Sequence, residues 1–337
     1  MPAKKGLTEK YWQEKHVLIT GATGFVGTWL AEILTKSGAY VVVLIRDWDP
    51  RSDLIRSGIV KELHVVSGIL EDYACLERAL NEHEVDTVFH LGAQAIVGVA
   101  NRSPLSTFEA NIRGTYNLLE ACRVHTKTVK RVIVASSDKA YGDSEVLPYV
   151  EAMAPQGRHP YDVSKSCADL LAQAYYHTYR LPVGIARCGN IYGGGDLNWS
   201  RIVPGTIRSL IERHPPIIRS DGHFVRDYVY VEDIARAYMD LAQALDREEV
   251  HGEAFNFSSE KPLSVLEIVA AIQELMGHRD LEPVILNEAT AEIRDQYLSA
   301  ARARDVLGWK ARYTLEEGLA ETIQWYRAFL QTAKPPR

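Results

Sequence analysis

Short apolar segments alternate with helical patterns over the first 190 residues, and this alternation limits the possible fold more than any other feature of the sequence. The segments HVLITG, YVVVLIRD, VDTVFHLGA, RVIVASS and LPVGIARCGN are typical of buried strands. Strands that alternate with helices build parallel βαβ units with right-handed crossovers. The sequence therefore predicts an α/β fold with a Rossmann doubly wound parallel sheet.

After Asn190 this alternation gives way to Gly-, Pro- and Arg-rich segments with shorter helical patterns. A chain of 337 residues is long enough to form two lobes. We predict a Rossmann domain of residues 1–190 plus about 226–257. Residues 191–225 and 258–337 are predicted to form a smaller α/β C-terminal substrate lobe.

Charge and the length of the apolar runs argue against several classes of protein. The formal net charge of −6 gives no reason to expect binding to nucleic acid or to an acidic membrane surface. The N-terminal segment MPAKKGLTEKYWQEK lacks the apolar core of a secretory signal, and no apolar run is long enough to span a bilayer. The four cysteines show no pairing or metal-ligand spacing. We therefore expect a cytoplasmic protein with reduced thiols and no metal site.

A glycine-rich segment, ITGATGFVGTWL, joins the first strand to the first helix and contains Gly21, Gly24 and Gly27. Glycines at such a turn let the backbone approach a pyrophosphate, which binds the unpaired N–H groups of the helix N-terminus. A tight turn without a ligand has the same spacing, but the strand before it and the helix after it are the context that dinucleotide binding requires. We predict that this loop, with Thr23, Phe25 and Val26, binds a dinucleotide.

Two charged residues at the end of the second strand bear on which dinucleotide is bound. Asp47 lies 20 residues after Gly27, the separation expected for a carboxylate that binds the adenosine ribose of NAD. Arg46 beside it could instead accept the 2′-phosphate of NADP, and both residues could simply cap an exposed strand end. We predict NAD, with NADP as the alternative.

Tyr161 and Lys165 in the segment YDVSK lie one helical turn apart, on one face of a predicted helix. A nearby ammonium favours the phenolate form of tyrosine, so the pair could supply a base near neutral pH. The spacing alone is common, but here it accompanies the dinucleotide loop and a serine at the tip of a preceding strand. We therefore expect a catalytic pair.

Six segments together resemble the extended short-chain dehydrogenase/reductase superfamily, and within it the nucleotide-sugar epimerases and 4,6-dehydratases. They are TGATGFVG, HLGAQ, SSDKAYG, YDVSK, RCGNIYGGGD and RDYVYVEDIARAY. The resemblance implies a nucleotide-diphosphate hexose as substrate, a homodimer or dimer of dimers, and helical pairing through about 106–124 and 162–180. Apolar residues of the second helix exceed what one buried face needs, namely Ala168, Leu171, Ala172, Tyr175 and Tyr176.

The resemblance also implies roles for residues by their position. Ser137 matches the residue that hydrogen-bonds the sugar 4-hydroxyl, Tyr161 the base, and Lys165 its ribose-bound partner. The further ligand contacts implied are Leu91, Gly92 and Ala93 for the cofactor, and Gln94, Asn111, Asn190, Arg201 and Arg226 for the substrate. Core packing is the alternative for the HLGA aliphatics, and a surface ion pair with Asp227 or Asp233 is the alternative for Arg226. Ile69 stands where the family usually has an adenine-contacting Asp, for which Glu71 or Asp72 could substitute.

Asp138 and Lys139 follow Ser137 at the strand tip and separate two possible reactions. A 4-epimerase needs only oxidation and reduction at C4, whereas a dehydratase needs a further acid and base to remove the C5 proton and expel the C6 hydroxyl. Asp138, with a pKa raised by burial, fits the acid. Lys139 fits the base when neutral, or a stabiliser of the enolate when charged. The Asp-Lys pair resembles the CDP-glucose 4,6-dehydratases.

We therefore predict a 4,6-dehydratase, with CDP-glucose as the first candidate substrate and GDP-mannose, which Gln94 also suits, as the second. A nucleotide-sugar 4-epimerase is the alternative. A catalytically silent NAD-binding regulator is a more remote one, because both Tyr161 and Lys165 are present. Asp138 and Lys139 could also form no more than an exposed turn pair.

Overall fold

The computed structural model describes residues 10–288 and 292–332, which contain both strands and helices. The strands are β1 (His16–Thr20), β2 (Tyr40–Ile45), β3 (His64–Ser67), β4 (Thr87–His90), β5 (Arg131–Ala135), β6 (Val183–Cys188), β7 (Asn190–Tyr192), β8 (Ile217–Ile218), β9 (Val225–Tyr230), β10 (Ala254–Phe257), β11 (Pro262–Ser264), β12 (Val284–Ile285) and β13 (Asp295–Gln296). The α-helices are α1 (Phe25–Lys36), α2 (Asp53–Arg56), α3 (Tyr73–Glu82), α4 (Val97–Arg102), α5 (Pro104–Phe108), α6 (Gly114–Val124), α7 (Pro160–Tyr179), α8 (Ile202–Ile211), α9 (Val231–Ala244), α10 (Val265–Met276) and α11 (Leu315–Thr332).

Seven parallel strands form the main sheet, in the order β10-β6-β5-β4-β1-β2-β3. The runs YVVVLI of β2 and RVIVA of β5 are almost wholly buried, as expected for strands covered by helices on both faces. The chain builds outward from β1 to β3 and then returns to place β4 on the other side of β1. This confirms the predicted doubly wound α/β fold and puts a ligand-binding crevice at the reversal point between β1 and β4.

Helices bury an apolar core on each face of this sheet. On one face, Leu30 and Leu34 of α1 pack with Ile234 and Leu241 of α9. On the other face, side chains of α3 and α6 join the core with those of the sheet. The two cores hold the carboxyl ends of the strands in fixed register, which is where the chemistry-bearing residues lie.

A smaller set of strands lies beyond the main sheet. β9 pairs with β7, β11 and β13, and β8 pairs with β12. A third apolar core, with residues of α8, α10 and α11, packs against this region. Within residues 226–257, which we predict to belong to the Rossmann domain, β9 pairs with the smaller strands, whereas α9 packs on the main sheet and β10 is part of it. The apolar pattern of β9 marks a buried strand without indicating which sheet it joins.

Candidate active site

A cleft of about 1640 Å³ runs along the carboxyl ends of the main strands and continues between α8 and the small strands. Pockets for a single drug-sized ligand are typically about 300–1000 Å³. The cleft is therefore large enough for a dinucleotide on the side of β1 and a second ligand on the side of β9.

The glycine-rich loop forms one wall, and Gly21, Thr23, Gly24, Phe25, Val26 and Gly27 all line the cleft. Gly21 has a φ of +75°, and a Cβ there would lie 2.7 Å from the backbone nitrogen of Gly92. Among the described residues, no side chain caps the first turn of α1, whose N-cap is Gly24, so its backbone N–H groups can bind an anion. The loop fits the pyrophosphate of a dinucleotide.

Arg46 and Asp47 both line the cleft at the end of β2. The Nε atom of Arg46 donates to Oδ2 of Asp47 at 2.6 Å, and the two side chains are 64% and 71% exposed. An ion pair this exposed contributes little to stability. The carboxylate is therefore free to accept hydrogen bonds from a ribose.

The residues after β4 divide between the cleft and the protein interior. Leu91, Gly92 and Ala93 line the cleft as predicted. Asn111 is 2% exposed, and its amide donates to the carbonyl of Gln94 at 3.1 Å and to the hydroxyl of Ser164 at 2.9 Å. The structure therefore does not bring Asn111 or Gln94 to the cleft wall, because the Asn111 amide joins the end of β4 to α7.

The loop after β3 carries Ile69 at the position where the family usually has an adenine-contacting Asp. Ile69 is 44% exposed and does not line the cleft, whereas Leu70 and Glu71 do. The amide of Asn117 donates to the carbonyl oxygens of Leu70 and Glu71 and holds this part of the loop in place. Of the two acidic residues considered as a substitute, Glu71 lies at the cleft.

Ser137, Asp138 and Lys139 line the cleft directly after β5. The Ser137 hydroxyl donates to Oδ1 of Asp138 at 2.9 Å and accepts the backbone N–H of Lys139 at 3.2 Å. Asp138 is only 3% exposed, so this is not an exposed turn pair. Burial raises the pKa of the Asp138 carboxyl to about 6, although Lys139 and Ser137 act in the opposite direction. A carboxyl of this pKa can donate a proton near neutral pH.

A buried ion pair holds the carboxyl end of β5 in place, next to Ser137. Arg187 of β6 donates to Asp169 of α7 through two nitrogens, at 2.7 and 2.8 Å, and both residues are almost fully buried. The hydroxyl of Ser136 donates to the same carboxylate at 2.8 Å. The pair therefore ties the end of β5 to the helix that carries Tyr161 and Lys165.

Tyr161 and Lys165 both line the cleft from the first turns of α7. The Lys165 ammonium donates to the carbonyl of Ala135 at 2.6 Å, and burial lowers its pKa to about 8. Burial raises the pKa of Tyr161 to about 12, with Arg201 and a hydrogen bond with Ser137 as the main opposing influences. In the protein alone, the Lys165 ammonium is directed to the backbone of β5 and is not among the main influences on the pKa of Tyr161; activation of the phenol by Lys165 stays a prediction.

The substrate side of the cleft carries Asn190, Arg201 and Arg226. Arg201 donates to Asp196 at 3.1 Å. Arg226 is 7% exposed and donates to the carbonyl oxygens of Val225, Ile293 and Arg294. The alternative of an ion pair with Asp227 or Asp233 does not occur, because Ser258 and Ser259 hydrogen-bond Asp227, and backbone N–H groups hydrogen-bond Asp233.

Two further cleft residues were missed by the sequence analysis. Tyr228 is 5% exposed, and its hydroxyl has no hydrogen-bond partner among residues 10–288 and 292–332. It lies two positions after Arg226 on β9, and this period of two could have identified it. Asp162 follows Tyr161. Burial raises the pKa of its carboxyl, and the positive charges of Lys139 and His159 only partly oppose this rise. Its position beside the predicted base was a usable signal.

Fold and site together define a Rossmann-fold protein of the short-chain dehydrogenase/reductase type, with Ser137, Tyr161 and Lys165 gathered beside a dinucleotide loop. The chain belongs to the GDP-mannose 4,6 dehydratase family, whose sequence model matches residues 18–322. The resemblance to the nucleotide-sugar 4,6-dehydratases is thereby confirmed. No helix in the described part of the chain is long and apolar enough to cross a membrane.

Similar proteins include both dehydratases and epimerases. The CDP-glucose 4,6-dehydratase of Salmonella typhimurium is 32% identical over an alignment of 343 positions, which covers 96% of this chain and 94% of that protein. The dTDP-glucose 4,6-dehydratase of Bacillus anthracis, solved in complex with NAD, has a TM-score of 0.82 and 25% identity over 93% of this chain and 97% of that one. The UDP-glucose 4-epimerase of Thermotoga maritima, solved with UDP-glucose, has a TM-score of 0.82 and 29% identity over 93% and 99%.

Proposed function

We propose that the protein is an NAD-dependent nucleotide-sugar 4,6-dehydratase. The observation that carries this proposal is the buried Asp138 carboxyl, which stands on the cleft wall between Ser137 and Lys139. A 4-epimerase has no step that needs this additional acid and base. The similarity over nearly the whole length to a CDP-glucose 4,6-dehydratase supports the same function.

NAD is the proposed cofactor, and the residues present fit it. The uncapped N-terminus of α1 would hold its pyrophosphate, and Asp47 would hold its adenosine ribose. When bound, NAD supplies the two-electron acceptor that stores the hydrogen removed from C4 of the sugar and returns it to C6. The NAD-bound structure of the Bacillus anthracis dehydratase supports this choice. NADP, with its 2′-phosphate on Arg46, is the alternative.

Proton transfers at C4 fall to Ser137 and Tyr161. The Ser137 hydroxyl would orient the sugar 4-hydroxyl, and the Tyr161 oxygen would take its proton as C4 becomes a ketone. Because burial raises the pKa of Tyr161 to about 12, the phenolate needs a positive charge nearby, and Arg201 already lowers the pKa.

Loss of water falls to Asp138 and Lys139. The Lys139 amine would take the C5 proton, which the new C4 ketone makes acidic, while the Asp138 carboxyl protonates the departing C6 hydroxyl. The Lys139 ammonium exchanges its protons with solvent and then returns one of them to C5, so the products are a 4-keto-6-deoxyhexose and one water. Protons gained by Tyr161 and lost by Asp138 exchange with solvent, which completes the balance.

The proposed substrate is a nucleoside diphosphate hexose whose diphosphate lies on Asn190, Arg201 and Arg226. CDP-glucose is the first candidate, as the Asp-Lys pair indicates, and GDP-mannose is the second. We further propose that the protein works in the cytoplasm as a homodimer or a dimer of dimers.

Incubation with CDP-, GDP-, UDP- and dTDP-hexoses, followed by mass spectrometry, tests the proposal. We expect one of them to lose one water and to gain solvent deuterium at C5. Conversion to a C4 epimer of unchanged mass, with no deuterium at C5, would instead establish the epimerase.

Variants separate the two halves of the reaction. Asp138→Asn and Lys139→Met should still oxidise C4 and form NADH but lose elimination, by about 10²–10⁴-fold. Asp143→Asn, an exposed residue on the same loop, serves as the matched control and should behave as wild type. If both cleft variants also behave as wild type, the assigned acid and base are wrong.

A further inference from the structure

Lys139 contacts a residue from a distant part of the chain that belongs to none of the groups assigned so far. Its Nζ atom donates to Oε1 of Gln296 at 3.5 Å, across 157 positions of sequence. Gln296 is the second residue of β13 and is 0% exposed. The Lys139 amine, on a half-buried side chain at the cleft, is thus joined to a fully buried amide.

The hydrogen bonding of the Gln296 amide shows what this contact requires. Its oxygen is the only atom of the group that can accept from a lysine amine, so the nitrogen must point the other way. That nitrogen has no hydrogen-bond partner among the described residues, 10–288 and 292–332. A buried unpartnered donor costs about 1–3 kcal/mol, and such groups recur at functional sites. A glutamine kept for packing alone would be better replaced by an apolar residue.

The backbone around Gln296 is held from two sides, so its amide is a fixed point. β13 pairs in parallel with β9, and Arg226 donates to the carbonyl oxygens of Ile293 and Arg294 just before it. After it, Tyr149 donates its N–H to the carbonyl of Tyr297 at 2.9 Å. Lysine, by contrast, has four rotatable side-chain bonds, and ordering them costs up to about 2 kcal/mol.

We propose that Gln296 is a positioning residue for the elimination half of the reaction, in which it orients the Lys139 amine. A neutral amine has two N–H donors and one lone pair, so donation of one N–H to Gln296 limits the directions in which the lone pair can point. This inference rests on the proposed function, because it gives Lys139 the C5 proton. It adds a residue that does not line the cleft and that acts through Lys139 alone.

Gln296→Met keeps the length of the side chain and removes the acceptor. We expect elimination and C5 exchange to slow about 10- to 100-fold, because misplacing a reacting group by about 1 Å has an effect of this size. The KM and the rate of C4 oxidation, followed as NADH formed in the first turnover, should stay at wild-type values. A general loss of structure would lower both halves together.

Gln296→Glu provides a second, independent readout and decides the matter if Gln296→Met melts far below wild type. A carboxylate at this site still accepts from Lys139, and it favours the ammonium form. The limb of the pH–rate profile that depends on Lys139 should therefore move to higher pH by about one unit or more. Asp295→Asn, on the preceding residue of the same strand, is the matched control and should leave rate and profile unchanged.

The outcomes distinguish this inference from the function on which it rests. The positioning role alone is overturned if wild type carries out elimination, Lys139→Met is defective and Gln296→Met equals wild type. It is also overturned if the pH–rate profile of Gln296→Glu is the same as that of wild type. If wild type forms no deoxy product with any of the sugars, the proposed function is wrong, and so is the inference that rests on it. Slowed elimination with intact C4 oxidation in Gln296→Met supports both.

Discussion

At the scale of the single residue, burial of the Asp138 carboxyl raises its pKa toward a value that suits a proton donor, but it lowers the stability of the fold. The pKa of its carboxyl is about 6 in the folded chain, against an ordinary 3.8, so folding favours the protonated form. This group therefore leaves stability untouched below about pH 4 and lowers it as pH rises through 6, by about 3 kcal/mol at most. A carboxyl kept at this position at such a cost is consistent with use as an acid.

Asp138→Asn, which is neutral at every pH, should therefore be more stable than wild type at pH 8, by up to about 3 kcal/mol. The difference should shrink toward pH 4, where the wild-type carboxyl is also protonated. Urea unfolding at several pH values measures it, since groups common to both proteins cancel. Parallel stability curves for the two proteins would show that the carboxyl is not buried as described.

The positions of these residues could be predicted from the sequence, whereas their interactions could not. The spacing of Tyr161 and Lys165 gives a shared helix face, and both do line the cleft. The sequence does not indicate that the Lys165 ammonium donates to the Ala135 carbonyl, because that carbonyl belongs to a strand 30 positions away. For Asn111, likewise, the sequence carries no sign that Ser164 and Gln94 hold its amide inside.

At the scale of the element, the end of β2 sets cofactor choice. We expect Asp47→Ala to weaken NAD binding about 10- to 150-fold, since a charged hydrogen bond to a ribose is worth about 1.5–3 kcal/mol. Arg46→Ala should leave NAD binding unchanged, because NAD lacks the 2′-phosphate that this guanidinium could accept. Titration with each dinucleotide, followed by calorimetry, measures both. NADP binding that is lost in Arg46→Ala, with NAD binding unaltered in Asp47→Ala, would reverse the assignment.

The opposite ends of β1 to β3 carry a ring cluster that makes stability depend on pH. The Tyr40 ring stacks on those of His16 and His64, at 4.6 and 3.8 Å between centroids, and its hydroxyl meets Nδ1 of His83 at 3.1 Å. The pKa of His83 is lowered by burial and then by the charge of His64. The unfolded chain therefore binds more protons, and this stability is lost as pH falls below the ordinary value of 6.5.

His64→Gln removes the neighbouring charge, so its melting temperature should fall less than that of wild type between pH 7.5 and 5.5. His177→Gln, an exposed histidine on α7, is the control and should follow wild type. Thermal unfolding monitored by circular dichroism at both pH values measures the effect. An equal fall in all three proteins would argue against charge repulsion within the cluster.

At the scale of the whole molecule, the alternation of buried strands and helices was enough to predict the main sheet, because each βαβ unit is defined by local pattern. The small sheet was not predictable in the same way. β11 and β13 contain only three and two residues, and their pairing with β9 joins segments that are far apart in sequence. The contact between Lys139 and Gln296 depends on that pairing, so no local feature of either segment could indicate it.

Assembly is the property of the whole molecule that remains a prediction, and the structure changes the residues on which it rests. Ala168 and Ala172 are buried in the chain's own core, and Leu171, Tyr175 and Tyr176 pack against that core. These residues therefore need no partner. Other apolar side chains on the same two helices are exposed, namely Tyr116 and Val124 on α6 and Leu170 and Tyr179 on α7.

Leu170→Glu tests whether these exposed side chains form the interface. Two adjacent helices from each copy can pack as a four-helix bundle, and such interfaces bury about 1,200–2,000 Å². A carboxylate at the centre of that contact would lose its hydration without a partner, so we expect the variant to be monomeric where wild type is at least dimeric. Light scattering after gel filtration at micromolar concentration gives the mass of each. Val146→Glu, which changes another exposed apolar residue, on the loop after β5, should keep the wild-type mass. A monomeric wild type, or a Leu170→Glu that assembles as before, would exclude this face as the interface.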